Sequence, residues 1–180
     1  MQKTIIVGVG NVLFRDEGIG VYAIKYLQKN YEFEPKIDIL DGGTLGFKLM
    51  SYFQEYENVF ILDTISIEDK VGTVYCLPSD VLMGLGMYRK TAHEVEIVEM
   101  LEICSLLESH ANVTVIGIVP EDIESVVSDL TDAIKSGFDT LIDKTLEELA
   151  KVGIKATKNC DTVTLESIIE NFYAEQKLEN

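Results

Sequence analysis

Four polar residues stand where a chain of alternating strands and helices gathers its chemistry. Glu17 follows a first apolar strand, Asp41 ends a second, Asp63 ends a third, and His93 opens the helix before the last. Open α/β sheets bind ligands outside the carboxyl ends of their strands, so these positions share one edge. Carboxylates with an imidazole make an oxygen and nitrogen donor set suited to a borderline divalent ion such as zinc or nickel, with positions left for water or an external ligand. Thr91-Ala92-His93-Glu94 has the form of a capping box, which puts His93 in a first helical turn. There the positive end of the helix dipole keeps the ring neutral, the form that binds metal, with Glu94 partly opposing it.

Each residue also has an ordinary structural reading. Asp16 or Glu17 can favour a helix amino terminus by charge alone. Asp41 ahead of Gly42 and Gly43 can serve an Asx turn, and His93 can be a helix-cap residue. Asp63 resists this treatment most, because an ionised carboxylate at the end of a buried strand needs a partner or a cation. His110 lies in the polar stretch 108–112 and reads as a solvated loop residue.

Other chemistries have less support. Gly8-Val9-Gly10 after the first strand suggests a phosphate turn, but the third glycine of the dinucleotide fingerprint would fall at Leu13, and Asp16-Glu17 would repel a phosphate. Cys76, Cys104 and Cys160 form no C-x-x-C pair and have no basic or histidine residue beside them, so they read as inert thiols. Neither a G-x-S-x-G elbow nor an H-E-x-x-H helix occurs.

The elements that must position these residues follow from periodicity. Ile5 to Val9 reads as a strand buried on both faces, and Ile19, Tyr22, Ala23, Tyr26 and Leu27 form the stripe of a first helix. Ile37 to Leu40 is a second strand, after which Thr44 is placed to cap a helix through Tyr52. Val59 to Leu62 is the third. The β-like run from Thr73 to Leu77 follows too soon for a parallel crossover and is expected to be antiparallel. Residues 78–90 read as a surface loop with a helical turn, and Ile97, Met100, Leu101 and Cys104 continue a helix stripe from Thr91. A fifth strand runs from Val113 to Val119, stopped by Pro120, and a long helix spans Thr131 to Val152, weakened by Gly137. The expectation is one α/β domain over residues 1–155, followed by a partly helical, detachable extension over 156–180 in which Leu165, Ile168, Ile169 and Phe172 keep helical spacing.

Composition narrows the class. The chain of 180 residues is 47% hydrophobic and 26% charged, the balance of a folded globular domain rather than a disordered one. Acidic residues outnumber basic ones 31 to 15, and a net charge of -16 argues against a nucleic-acid partner. No apolar run approaches the roughly 20 residues of a membrane span, and the amino-terminal run is too brief for a signal peptide, so a cytoplasmic protein without membrane insertion is expected.

Taken in series, Gly8-Val9-Gly10-Asn11-Val12-Leu13-Phe14-Arg15-Asp16-Glu17-Gly18-Ile19-Gly20-Val21, then Asp41-Gly42-Gly43-Thr44, Leu62-Asp63, His93 and Gly117-Ile118-Val119-Pro120-Glu121 resemble the hydrogenase maturation endopeptidases over about the first 150 residues. The resemblance implies a three-layer α/β/α sandwich around a five-stranded, mostly parallel twisted sheet with one antiparallel strand. It implies an endopeptidase that removes the carboxy-terminal extension of a nickel-iron hydrogenase large-subunit precursor after nickel insertion. It carries metal contacts to Glu17, Asp63 and His93, the last set here in Thr-Ala-His-Glu where some relatives have Ser-Pro-His-Gln. Asp41 is the candidate catalytic carboxylate, with Gly42, Gly43 and Thr44 positioning the substrate. No tightly bound cofactor is expected: nickel arrives with the precursor, and other divalent ions can occupy the site. Two alternatives stay open, a non-cleaving nickel-sensing module or chaperone for the precursor, and a general peptidase with a resident metal.

Overall fold

The computed structural model describes residues 3–44, 46–84 and 111–178, with Glu99 and Glu102. In chain order the elements are β1 (Thr4–Val9), a 3-10 turn (Arg15–Gly18), α1 (Ile19–Asn30), β2 (Tyr31–Glu34) and β3 (Asp38–Gly43). A second 3-10 turn (Gly46–Leu49), α2 (Met50–Glu55), β4 (Asn58–Thr64), β5 (Val74–Pro78) and α3 (Ser79–Gly84) follow. After the next described stretch begins come β6 (Asn112–Ile118), α4 (Asp132–Lys151), β7 (Lys155–Lys158) and α5 (Leu165–Leu178).

β1 and β4 are buried along their whole length, as unbroken apolar runs in a parallel sheet require. The sheet has the order β3-β1-β4-β6-β5, with every pair parallel except β5 against β6. This is the expected five-stranded mixed sheet, and the reversed strand is the one whose preceding link is too short for a crossover. Side chains alternate between its faces. Ile6, Phe60, Leu62, Ile116 and Ile118 pack with α1, α4 and α5, while Ile5, Val7, Val59, Ile61, Val113 and Val115 pack with Leu49 and Tyr56 beside α2. Gly20 seats α1 on the sheet: a Cβ there would lie 2.1 Å from the Leu62 carbonyl oxygen and 2.3 Å from that of Val9.

Three details depart from the sequence expectation. The helix after Asp41-Gly42-Gly43-Thr44 does not start at Thr44; Gly46 takes a left-handed conformation (φ 52), and α2 begins at Met50 with Leu49 as an N-cap lacking a side-chain bond. β2 and β7 were not anticipated and form a separate antiparallel pair, Tyr31 opposite Lys158 and Glu34 opposite Lys155. Gly137, expected to weaken α4, is a packing residue, since a Cβ there would lie 3.1 Å from both the Gly72 carbonyl and Ile118. Thr131 does cap α4, accepting a bond from the Ile134 N–H at 3.4 Å. The capping box at Thr91 and the helix stripe to Cys104 lie outside the described residues.

The residues after α4 are packed into the molecule. Asn30, with no exposed surface, donates to the Val163 carbonyl at 2.9 Å and accepts from the Val163 N–H at 2.7 Å. Leu165, Ile168 and Ile169 enter the same core as Tyr22, whose ring meets Phe172 edge-on at 5.5 Å. Among the described residues no helix is long and apolar enough to cross a membrane.

Candidate active site

The connection from β1 leads through α1 to β3 on one side, and the chain leaving β4 goes to β5 and β6 on the other. The crevice between the carboxyl ends of β1 and β4 is therefore the switch point of the sheet, where α/β folds bind ligands. Glu17 follows β1 and Asp63 is the penultimate residue of β4, so these two flank it.

The turn bearing Glu17 is pressed onto the end of β1. Gly10 has φ 127, and a Cβ on it would lie 1.8 Å from the Glu17 carbonyl oxygen, so only glycine permits this approach. The Glu17 N–H donates to the Phe14 carbonyl at 3.0 Å, and the residue is half-buried. Asp63 is 2% exposed, and its Oδ1 accepts the Thr64 N–H at 2.7 Å. His93 lies outside the described residues. Among the described residues no three His, Cys, Asp or Glu side chains are grouped closely enough to hold a metal ion.

Asp41 lies on the other side of β1, opposite Gly8, and is exposed; it does not end its strand as expected, because β3 continues through Gly42 to Gly43. Its Oδ2 lies 3.7 Å from the Lys25 ammonium, a solvated pair that holds little energy. Gly42 is buried, and the Gly43 carbonyl accepts the Gly10 N–H at 3.0 Å, joining the end of β3 to the glycine turn after β1. Thr44 is exposed. Asp41, Glu17 and Asp63 thus fall on one sheet edge, with Asp41 one strand removed from the switch point.

One residue of this edge was undervalued by the sequence reading. Asp16, read as an acid that could favour a helix end, is fully buried and accepts four hydrogen bonds. Its Oδ2 receives the N–H groups of Glu121 at 3.0 Å and Asp122 at 2.9 Å and the Thr131 hydroxyl at 3.0 Å; its Oδ1 receives the Thr131 N–H at 2.7 Å. Its own N–H donates to the Asp122 carbonyl at 3.0 Å, and Arg15, in a left-handed conformation (φ 45), donates to Val127 at 2.9 Å. The Asp-Glu-Gly turn and the Gly-Ile-Val-Pro-Glu segment are therefore bonded to each other through one carboxylate. Within the loop, Asp122 is held below the usual carboxylate range by bonds from the Ser125 hydroxyl and N–H and from the Glu124 N–H, with the Arg15 charge adding to them.

Cys76 is not poised as a nucleophile, and Cys104 lies outside the described residues. Burial pushes the Cys76 thiol up to about 11, and Glu148 beside it adds to the shift. It stays protonated at neutral pH, so alkylation at pH 8 is expected to label exposed Cys160 at least about tenfold faster than Cys76, with Cys76 gaining reactivity only as the pH approaches 11. Peptide mass spectrometry after timed labelling checks this; equal rates would contradict it.

Comparison with known proteins bears on the family and the fold. A family model described as hydrogenase maturation protease matches residues 21–148, a span that contains Asp41, Asp63 and His93 and begins after Glu17. The chain is 30% identical over 151 residues to the hydrogenase expression/formation protein HoxM of Cupriavidus necator, covering 83% of this chain and 75% of that one. It is 27% identical over 157 residues to the hydrogenase 2 maturation protease of Escherichia coli, covering 86% and 95%. Among solved structures, the hydrogenase maturating endopeptidase HybD from E. coli superposes with a TM-score of 0.81 at 25% identity, over 89% of this chain and 99% of that one. The mixed sheet and these matches agree, and the chain belongs to the hydrogenase maturation protease family, the endopeptidases that cleave the carboxy terminus of a hydrogenase large subunit.

Proposed function

We propose that this endopeptidase reads the nickel of its large-subunit precursor with Glu17, Asp63 and His93, and removes the carboxy-terminal extension once nickel completes that donor set. The observation that carries the reading is the position of Glu17 and Asp63 on either side of the crevice between β1 and β4. Two carboxylates and an imidazole hold an ion weakly by themselves but add to the ligands of an ion presented by another protein. Docked there, the extension lies along the edge formed by Gly42, Gly43 and Thr44. Water attacks the scissile carbonyl, a carboxylate accepts its proton, and the proton passes to the leaving amine as the carbon–nitrogen bond breaks. Asp41, exposed at that edge, is the candidate acceptor. The reading includes a cytoplasmic protein with the precursor, rather than nucleic acid, as partner, in keeping with the net charge of -16.

Metal titration of the purified protein tests the donor set. Little metal is expected to copurify, and added nickel or zinc is expected to bind at a single site. His93→Ala is expected to lose that binding and processing while melting within about 2 °C of the wild type, as for the loss of a ligand rather than of core packing. Stoichiometric zinc that survives chelation would contradict the reading and favour a resident-metal peptidase.

A further inference from the structure

We infer that Asp16 is a positioning residue for the cleavage reaction: its buried carboxylate clamps the turn that carries Glu17 to the loop between β6 and α4. The inference rests on the reading of Glu17 as a donor to the substrate's nickel. Glu17 is the next residue in the chain, on a turn of four residues whose N-cap makes no side-chain bond. The loop holds that turn from one side. Two bonds come from its backbone, Arg15 to Val127 and Asp16 to Asp122, and four more converge on the Asp16 carboxylate from Glu121, Asp122 and Thr131. The loop is itself tied to the sheet, because Val119 donates to Thr73 at 2.9 Å and accepts from Gly72 at 2.9 Å.

The clamp thus fixes Glu17 to β6 and, through the sheet, to Asp63. Bonds from several N–H groups converging on one carboxylate are directional, which suits a clamp. A misplacement of about 1 Å in a group that positions the substrate costs on the order of 100-fold in rate, so precision here shows in turnover rather than only in stability. Thr131 belongs to the same device, since its hydroxyl both donates to Asp16 and caps α4.

The test is steady-state cleavage of nickel-loaded precursor by Asp16→Asn, Thr131→Val and Thr131→Ser, at a temperature where circular dichroism shows each fully folded. Asn30→Ala, which loosens the distant bonds to Val163, serves as a control for lost stability alone. Asp16→Asn is expected to lower kcat about 100-fold with KM within about threefold of the wild type, and Thr131→Val about tenfold, with Thr131→Ser restoring it. Asn30→Ala should keep wild-type kcat at an equal loss of Tm. Should Asp16→Asn not fold, the Thr131 pair decides. Wild-type kcat in folded Asp16→Asn or in Thr131→Val, or an equal loss in Asn30→Ala, would overturn the clamp. Glu17→Gln run alongside separates the two readings: if it cleaves at the wild-type rate, the ligand assignment of Glu17 falls, whatever the clamp variants do.

Discussion

Asp63→Asn is expected to reduce processing of nickel-loaded precursor about 100-fold or more while the protein stays folded. The residue is 2% exposed at the end of β4, and an amide of the same shape keeps an oxygen for the Thr64 N–H. The substitution removes the negative charge and turns one oxygen into an amide nitrogen. A structural carboxylate tolerates that loss if its bonds survive, whereas a metal donor does not, because an amide oxygen is a far weaker ligand to a divalent ion. The check is mass spectrometry of the precursor together with a thermal melt, where a shift of no more than about 4 °C is expected. A wild-type processing rate would remove Asp63 from the donor set.

The second large effect is on stability. Asp16→Ala deletes an acceptor that satisfies three backbone N–H groups and one hydroxyl, from Glu121, Asp122 and Thr131, at a site with no exposed surface. Leaving such donors unpaired costs about 1–3 kcal/mol each in full burial, offset where the loop opens to water, and a net loss of about 3–5 kcal/mol is expected. For a chain of this size that lowers Tm by about 10 °C. Urea unfolding measures it directly; a loss below about 1 kcal/mol would mean that water replaces the carboxylate at little cost.

These two neighbouring acids show how far the sequence could be read. Asp16 and Glu17 are adjacent and alike, and nothing local tells which of them turns inward. The groups that decide it are donors at Glu121, Asp122 and Thr131, more than a hundred positions along the chain. The sheet was legible because β1, β4 and β6 are dense apolar runs, and β5 because its link was too short to cross over. β2 and β7 were not, since Tyr-Glu-Phe-Glu and Lys-Ala-Thr-Lys are short and largely polar and become strands only by pairing with each other. The late start of α2 shows the same limit at closer range: a capping threonine at position 44 yields to the left-handed backbone of Gly46 two residues on. Candidate site positions were readable as strand-end polar residues, because topology puts strand ends on one edge. Their assignment as donors came from the motif resemblance, which spacing alone does not supply.

Under the proposed function, the metal state of the precursor licenses the cut. A ligand shifts an outcome only through differential interaction energy, and nickel is the one feature that separates two precursors with the same extension. Without it, the polar donors at the edge gain nothing in exchange for their water, and a protein of net charge -16 has little reason to hold the extension. The direct measurement is cleavage of matched nickel-loaded and nickel-free precursor by the same preparation, followed by mass spectrometry of the large subunit. Complete trimming of the loaded form with none of the nickel-free form is the expected result, and equal trimming of both would contradict it.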